Sequence, residues 1–245
     1  MSDFTENSAE LDKLPSHSRI ALALAFTGVV GIIVAVLFLP AGRLNWVAGW
    51  VYVLLIIVNT VINYVYLRQT NPTLIVYRTR IGHGTKTWDT ILMAVLTPVL
   101  LSVYGVAGLD AGRLGGSAIP SLIWPALLWP LGFALFMVGA VLLTWSMGVN
   151  PFFEKTVRIR TERGQRVVDT GPYRFVRHPG YAGFGIWILS VPLLLGSWWA
   201  FFPAILSIAI VVVRTAWEDR TLRQELPGYR EYTDHVRFRL IPDVW

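Results

Sequence analysis

The chain has 245 residues, of which 54% are hydrophobic and 15% charged, with a formal net charge of +6 and no cysteine, whereas soluble domains carry about 25% charged residues. Five stretches, 20–42, 44–67, 90–109, 114–153 and 178–213, contain no Asp, Glu, Lys or Arg. A bilayer crossing takes about 20 apolar residues, so these runs exclude a soluble nucleotide-binding enzyme, a disulfide-stapled secreted scaffold and a disordered chain.

Residues 1–19 are polar, with Asp3, Glu6, Glu10 and Asp12. They lack a basic leader and a small-residue cleavage site, so a cytoplasmic tail is expected there and not a cleaved signal peptide. The first predicted helix covers 20–39 and stops near Pro40, the second covers 46–67 and the third 89–108. Gly115, Gly116, Pro120, Pro125 and Pro130 delay the fourth to 124–147. The last stretch is too long for one helix. Gly196-Ser197 is a turn signal and Pro192 weakens the helix before it. A helical hairpin is expected over 181–195 and 198–217, each arm short enough to require tilting or local thinning of the bilayer. The predicted fold is all-α: a polytopic membrane protein of about six transmembrane helices with a C-terminal hairpin. Its organisation reads as a tail (1–19), helices one to four (20–147) and a functional core (148–245).

Lys and Arg divide unequally between the loops. The tail, the 68–87 and 148–180 loops and the segment from 214 hold 19 of them, and the opposite side has only Arg43 and Arg113. With six crossings all the rich segments fall on one face, which the positive-inside rule makes cytoplasmic, with both termini. The net charge is thus a topology signal with some attraction to anionic lipid. Nucleic acid is not an expected partner, since the charges flank spans. Trp124, Trp129, Trp198 and Trp199 read as interface anchors.

Two segments on that face are dense in polar chemistry. The first runs from Gln165 through Arg166, Val167, Val168, Gly171-Pro172-Tyr173-Arg174 and Arg177-His178-Pro179-Gly180-Tyr181 into the hairpin. Gly171-Pro172 is a turn, and Pro179 suits a first helical turn. The free N–H groups there, with Arg177 and His178, make a place for a carboxylate or phosphate. The plain alternative is an interfacial anchor in which the tyrosines sit in the aromatic belt and the arginines snorkel. The second segment is Arg214-Thr215-Ala216-Trp217-Glu218-Asp219. Arg214 and Glu218 share a helical face, either as a surface ion pair or as parts of a site, because an ionisable residue continuing an apolar run is costly. No histidine pair has metal-ligand spacing, so no metal is expected. The loop Pro151-Phe152-Phe153-Glu154-Lys155 mixes aromatic and charged residues between two spans, as a lid or lateral substrate gate would.

Taken in order, Gly171-Pro172-Tyr173, Arg177-His178-Pro179-Gly180-Tyr181, a hairpin, Arg214-x-x-x-Glu218-Asp219-x-x-Leu222, Gly228-Tyr229, Tyr232 and Pro242 resemble the isoprenylcysteine carboxyl methyltransferase family and its relatives among the phospholipid methyltransferases. The resemblance covers about residues 144–245. It implies an S-adenosylmethionine-dependent methyltransferase with a cytoplasmic cofactor pocket. By position, Gln165, Arg166, Val167, Val168, Tyr173, His178, Pro179, Gly180, Tyr181 and Glu218 would bind the cofactor, and Arg214 would face the substrate. Arg214 and Glu218 are the residues expected to carry catalysis. Asp219 departs from the family's usual second Glu.

The chemistry fits the resemblance. A polar cofactor and an apolar acceptor meet best at a membrane–water boundary. Arg214 could grip a substrate carboxylate with two prongs, most simply the carboxylate of a prenylated cysteine, which needs no general base because it is already ionised. Alternatives are a phospholipid amine or a thiol as acceptor, a membrane NADPH-dependent reductase of the sterol type, and a non-catalytic scaffold or transporter. Membrane lipid and a lipophilic or prenylated substrate are the expected partners.

Overall fold

A computed structural model of the protein describes residues 16–77, 84–115, 127–160 and 163–245, with side chains from residue 27 onward. Most of the expected tail (1–15), His83 and Trp124 lie outside the described residues. The helices are α1 (Ser16–Ala41), α2 (Val47–Thr70), α3 (Pro72–Tyr77), α4 (Thr87–Ala107), α5 (Trp129–Val149), α6 (Pro179–Leu195), α7 (Phe201–Glu225) and α8 (Tyr229–His235). No strand occurs among the described residues.

The charge-free runs explain the helices directly. Four of them, α2, α4 with its extension to Arg113, α5 and α7, are long and apolar enough to cross a membrane, with mean hydropathies of 1.6 to 2.0. Thr27–Ala41 of α1 and the 17 residues of α6 are shorter apolar helices. Only 22% to 33% of the residues in the four long apolar windows are buried. Val61, Ile62, Phe133, Val141, Phe202 and Ile205 all point outward. A helix apolar on every side suits lipid and not water, so the protein is a multi-pass membrane protein.

Two boundaries differ from the sequence reading. The third helix does not stop at 108 but continues as a wider π-turn through Gly108–Arg113. Asp110 can be buried there because Ser197 donates to it at 2.7 Å. The last helix does not end at 217 but runs on to Glu225, so Glu218 and Asp219 sit on the same helix as Arg214. The fourth is described as an α-helix from Trp129, and its expected start at 124 lies outside the described residues. The hairpin itself is present: α6 ends in Gly196, whose left-handed φ of 75° closes the helix as a residue without Cβ does most easily.

The helices α5 and α6 pack backbone to backbone. A Cβ built on Gly139 would lie 2.5 Å from the backbone nitrogen of Trp187, and one on Gly183 would lie 2.8 Å from that of Leu143. Both neighbours are backbone and cannot move aside, so the close approach requires glycine. Around it, Leu37, Tyr52, Val103, Phe136, Ile188 and Val191 form the buried core, and the Tyr52 and Tyr104 hydroxyls bond to each other at 3.2 Å.

The basic residues sort to the ends. At one end Asn71 donates to the carbonyls of Met147 (2.9 Å) and Asn150 (3.1 Å), and Lys86 pairs with Glu225. At the other end lie Arg43, which donates to the Ala111 carbonyl, and Arg113, against Gly42. The α6 helix spans only about 25 Å at 1.5 Å per residue, yet with α7 it frames the basic end. Replacing Gly183 with Leu forces α5 and α6 apart and is expected to cost at least about 2 kcal/mol, seen as a lower melting temperature of the detergent-solubilised protein. An unchanged melting temperature would contradict the close packing.

Candidate active site

The segment that enters the hairpin is shaped by its own turn residues. Gly171 takes a φ of +57°, and the single turn Gly171–Arg174 buries Pro172 and Tyr173. Beyond it, the N–H groups of Arg177 and His178 each donate at 2.9 Å to the carbonyls of Phe238 and Arg239. The chain after α8 thus runs alongside the approach to α6. His178 caps α6, and Pro179 fills its first position, where a missing N–H costs nothing. The Tyr181 and Ala182 N–H groups both donate to the His178 carbonyl, at 3.1 and 3.2 Å, which leaves that of Gly180 as the open donor of the first turn.

Asp219 joins the two halves of the site. Arg177 reaches it with two prongs, Nε to Oδ1 at 2.7 Å and Nη2 to Oδ2 at 3.2 Å. The third nitrogen of Arg177 donates to the carbonyls of Val236 and Arg237. Asp219 also accepts from the Tyr229 hydroxyl at 3.1 Å and from Arg239 Nε at 3.0 Å. Burial, reinforced by the Asp219 charge, pushes the Tyr229 phenol well above its ordinary range, so it keeps the proton it donates. The His178 ring lies parallel to Tyr181, 5.8 Å between centroids. Tyr232 donates to the Tyr173 carbonyl at 2.7 Å, which anchors α8 to the turn.

Arg214 and Glu218 do not pair with each other among the described residues. The surface ion pair considered from spacing alone is replaced by two separate contacts. Arg214 Nε donates to Asp89 Oδ1 at 2.7 Å, and Nη2 donates to Asp89 Oδ2 at 3.4 Å and to the Lys155 carbonyl at 2.9 Å. Its guanidinium carbon lies 5.1 Å from the centre of the Tyr181 ring. Glu218 accepts the Tyr181 hydroxyl at 2.5 Å and forms no ion pair among the described residues. Asp89, from the start of α4, is fully buried and also accepts the Val157 N–H at 2.7 Å.

These groups surround one open-mouthed cleft with a volume of about 100 Å³. Of the residues singled out in the sequence, Gln165, Arg166, Val167, Val168, Tyr173, His178, Gly180, Tyr181, Arg214 and Glu218 line it. Pro179 does not, and Asp219 sits behind the wall as a brace. Phe152, Phe153 and Glu154 of the suspected gate also line the cleft. A Cβ on Gly180 would fall 2.4 Å from the Phe153 ring, so glycine lets this loop lie on the helix start. Glu154 is buried beneath it and holds Arg158 at 2.9 Å and Arg160 at 2.6 Å. Asn150, Thr156, Val157 and Leu226 are lining residues that the sequence reading does not name, and Leu222, Tyr229 and Tyr232 of the motif also line the cleft. An unpaired acid, several guanidinium groups and apolar walls in one cleft can hold a molecule carrying both charge signs beside an apolar one.

Residues 128–227 match the phospholipid methyltransferase family. The match covers less than half of the chain. The protein is similar, at 29% identity over 114 residues, to protein-S-isoprenylcysteine O-methyltransferase B of Arabidopsis thaliana, covering 43% of this chain and 55% of that protein. It is also 30% identical over 66 residues to a probable protein-S-isoprenylcysteine O-methyltransferase of Oryza sativa subsp. indica, covering 26% of this chain and 35% of that one. The chain thus matches between a third and just over half of the length of these relatives. The resemblance read from the motifs holds at the level of the family. The match ends before α8, and Asp89 lies outside it.

Adjacent carboxylates in this site have different duties. Asp219→Ala strands a buried arginine and is expected to cost about 3–5 kcal/mol, whereas Glu218→Ala leaves the melting temperature nearly unchanged. Thermal unfolding in detergent separates the two. Equal losses would mean that Glu218, too, is part of the scaffold.

Proposed function

We propose that this protein is an S-adenosylmethionine-dependent membrane methyltransferase whose acceptor is lipophilic and ends in a carboxylate, most like that of an S-prenylated cysteine. The observation that carries the proposal is the meeting of the segment entering the hairpin with the helix leaving it around one cleft, within a stretch that matches a methyltransferase family. The names of the two plant relatives favour the prenylcysteine acceptor. The basic end of the bundle faces the cytoplasm by the positive-inside rule, with both termini and the mouth of the cleft on that side. The C-terminal part, 148–245, acts as the methyl-transfer core.

The residues present suit the cofactor. Glu218 is an acid in the cleft without a cationic partner, and so can take an ammonium or ribose hydroxyls. The Gly180 N–H in the first turn of α6, with His178, can take a carboxylate. Val167, Val168 and Leu222 supply apolar wall. When bound, S-adenosylmethionine supplies a methyl group already activated on a sulfonium. The protein's task is then alignment, which is worth several kcal/mol when reacting groups are held in line. Arg214 orients the acceptor carboxylate, and no side chain has to remove a proton from it. Because Nε and Nη2 are engaged by Asp89 and Lys155, it is Nη1 that remains for the acceptor, a single nitrogen and not the two-pronged grip that the residue type alone suggests. Phe152 and Phe153 line the way in for the apolar part.

Purified protein is expected to bind S-adenosylmethionine saturably in calorimetry and to leave NADPH unbound. Glu218→Ala should weaken cofactor binding by about 30-fold, the worth of a hydrogen bond to a charged group. Saturable NADPH binding would move the protein to the reductases, and binding of neither would leave a scaffold. With N-acetyl-S-farnesylcysteine as acceptor, a methyl ester should form. Transfer only to phosphatidylethanolamine would make the protein an N-methyltransferase.

The gate is tested separately. Replacing Phe152 and Phe153 with Ala should raise KM for the farnesylated acceptor by about tenfold, the value of burying a large apolar contact, and leave cofactor affinity within twofold. Equal loss of both would remove the gate.

A further inference from the structure

Among the described residues, Asp89 is the buried acid that the methyl-transfer core borrows from outside itself. It sits in the first turn of α4, outside the family-matched stretch, 125 positions from Arg214. One of its oxygens takes Arg214 Nε at 2.7 Å, and the other takes the Val157 N–H at 2.7 Å. Lys86, three residues earlier, donates its backbone N–H to the Val157 carbonyl at 3.1 Å, and the Thr85 and Thr156 hydroxyls are bonded at 3.2 Å. The start of α4 therefore grips the loop on two sides of Val157, and the same carboxylate fixes the guanidinium.

We propose that Asp89 is a positioning residue for methyl transfer: it sets the direction of Arg214 and, through Val157, holds the 154–158 wall of the acceptor site in register with it. This rests on the reading of Arg214 as the acceptor-facing residue. The physical reason is twofold. An arginine at the membrane boundary without a counter-charge has nothing to fix its long side chain and carries a large desolvation cost. Its nearest other acid on the same helix face is Glu218, and an Arg214 turned toward it would occupy the acid assigned to the cofactor. Asp89 keeps the two charges apart and leaves Nη1 of Arg214 without a hydrogen-bond partner among the described residues. It also tempers the cation. An acceptor carboxylate loses its charge as it becomes an ester, so a fully unpaired arginine would hold the starting carboxylate more firmly than the transition state and slow the reaction.

The test uses the full-length protein in detergent with Asp89→Asn, which keeps the shape and removes the charge. Turnover of N-acetyl-S-farnesylcysteine should fall by about tenfold or more in kcat/KM, as misalignment of a reacting group predicts. Binding of S-adenosylhomocysteine should stay within twofold. In an Arg214→Gln background the same change should cost less than about threefold, because residues acting through one another are not additive. An unchanged kcat/KM overturns the proposal. So does a parallel loss of S-adenosylhomocysteine binding, or full additivity with Arg214→Gln, since either would mean a purely structural role. Should the wild-type protein bind S-adenosylhomocysteine but methylate no farnesylated acceptor, the acceptor reading fails by itself. Limited trypsin digestion then decides for Asp89: faster cleavage at Arg158 and Arg160 in Asp89→Asn supports its hold on the loop, and an unchanged rate overturns it.

Discussion

The site exists because one buried carboxylate holds together parts of the chain that would otherwise only pass each other. Asp219 lies on the last long helix, and Arg177, which grips it, lies 42 positions earlier at the threshold of the hairpin. Arg239 and Tyr229 reach the same two oxygens from the C-terminal side. Removing a charge from water is expensive unless its bonds are satisfied. Here they are satisfied only when hairpin, helix and tail are all in place, so the pairing specifies one arrangement. The cleft is the space left in front of it.

The same economy of charge runs through the whole basic end. Arg214 is balanced by Asp89, and Arg158 and Arg160 by Glu154. Glu154 lines the cleft but is paired, and among the described residues Glu218 is the lining carboxylate held by a tyrosine hydroxyl and not by a cation. That contrast gives Glu218 and Asp219 their meaning. They are neighbours in sequence and share a charge, but successive residues on a helix point about 100° apart, one into the cleft and the other into the brace.

Much of the architecture could be read from the chain because its signal is coarse. An unbroken apolar run of 20 residues has few physical outcomes, and Gly196 after Pro192 announces the hairpin. The cleft's residues were legible as a cluster because Tyr173, His178, Gly180, Tyr181, Arg214 and Glu218 occur in two short segments flanking that hairpin. What could not be read was pairing. Asp89 stands alone at the head of an apolar run, and its period and composition give no hint that it meets a residue 125 positions away. A hint did exist in the opposite direction: Arg214 continues an apolar helix, and an arginine so placed demands an acid. The helix ends were misjudged for the same reason. Asp110 looks like a stop in sequence, yet the π-turn proceeds through it because Ser197 answers its charge.

The family match begins at residue 128, but the geometry does not respect that boundary. The wall that Phe153 and Val157 form is held on one side by α6, through Gly180, and on the other by α4, through Asp89 and Lys86. Phe153 in turn packs against the cluster of Leu67, Leu74, Ile75 and Met147, which joins the end of α2 to α5. The first helices are thus more than a membrane anchor for the core. They supply the outer support of the loop through which an apolar acceptor would pass. The wall proposed for the cofactor, by contrast, is lined by Gln165 to Val168, His178 and residues of α6, α7 and α8. The proposed acceptor side draws on both: Arg214 and the 154–158 loop lie within the matched stretch, and Asp89 and Lys86, which hold them, lie outside it. A change of acceptor would then need no rearrangement of Glu218 or His178, only a different contact between the start of α4 and the 154–158 loop.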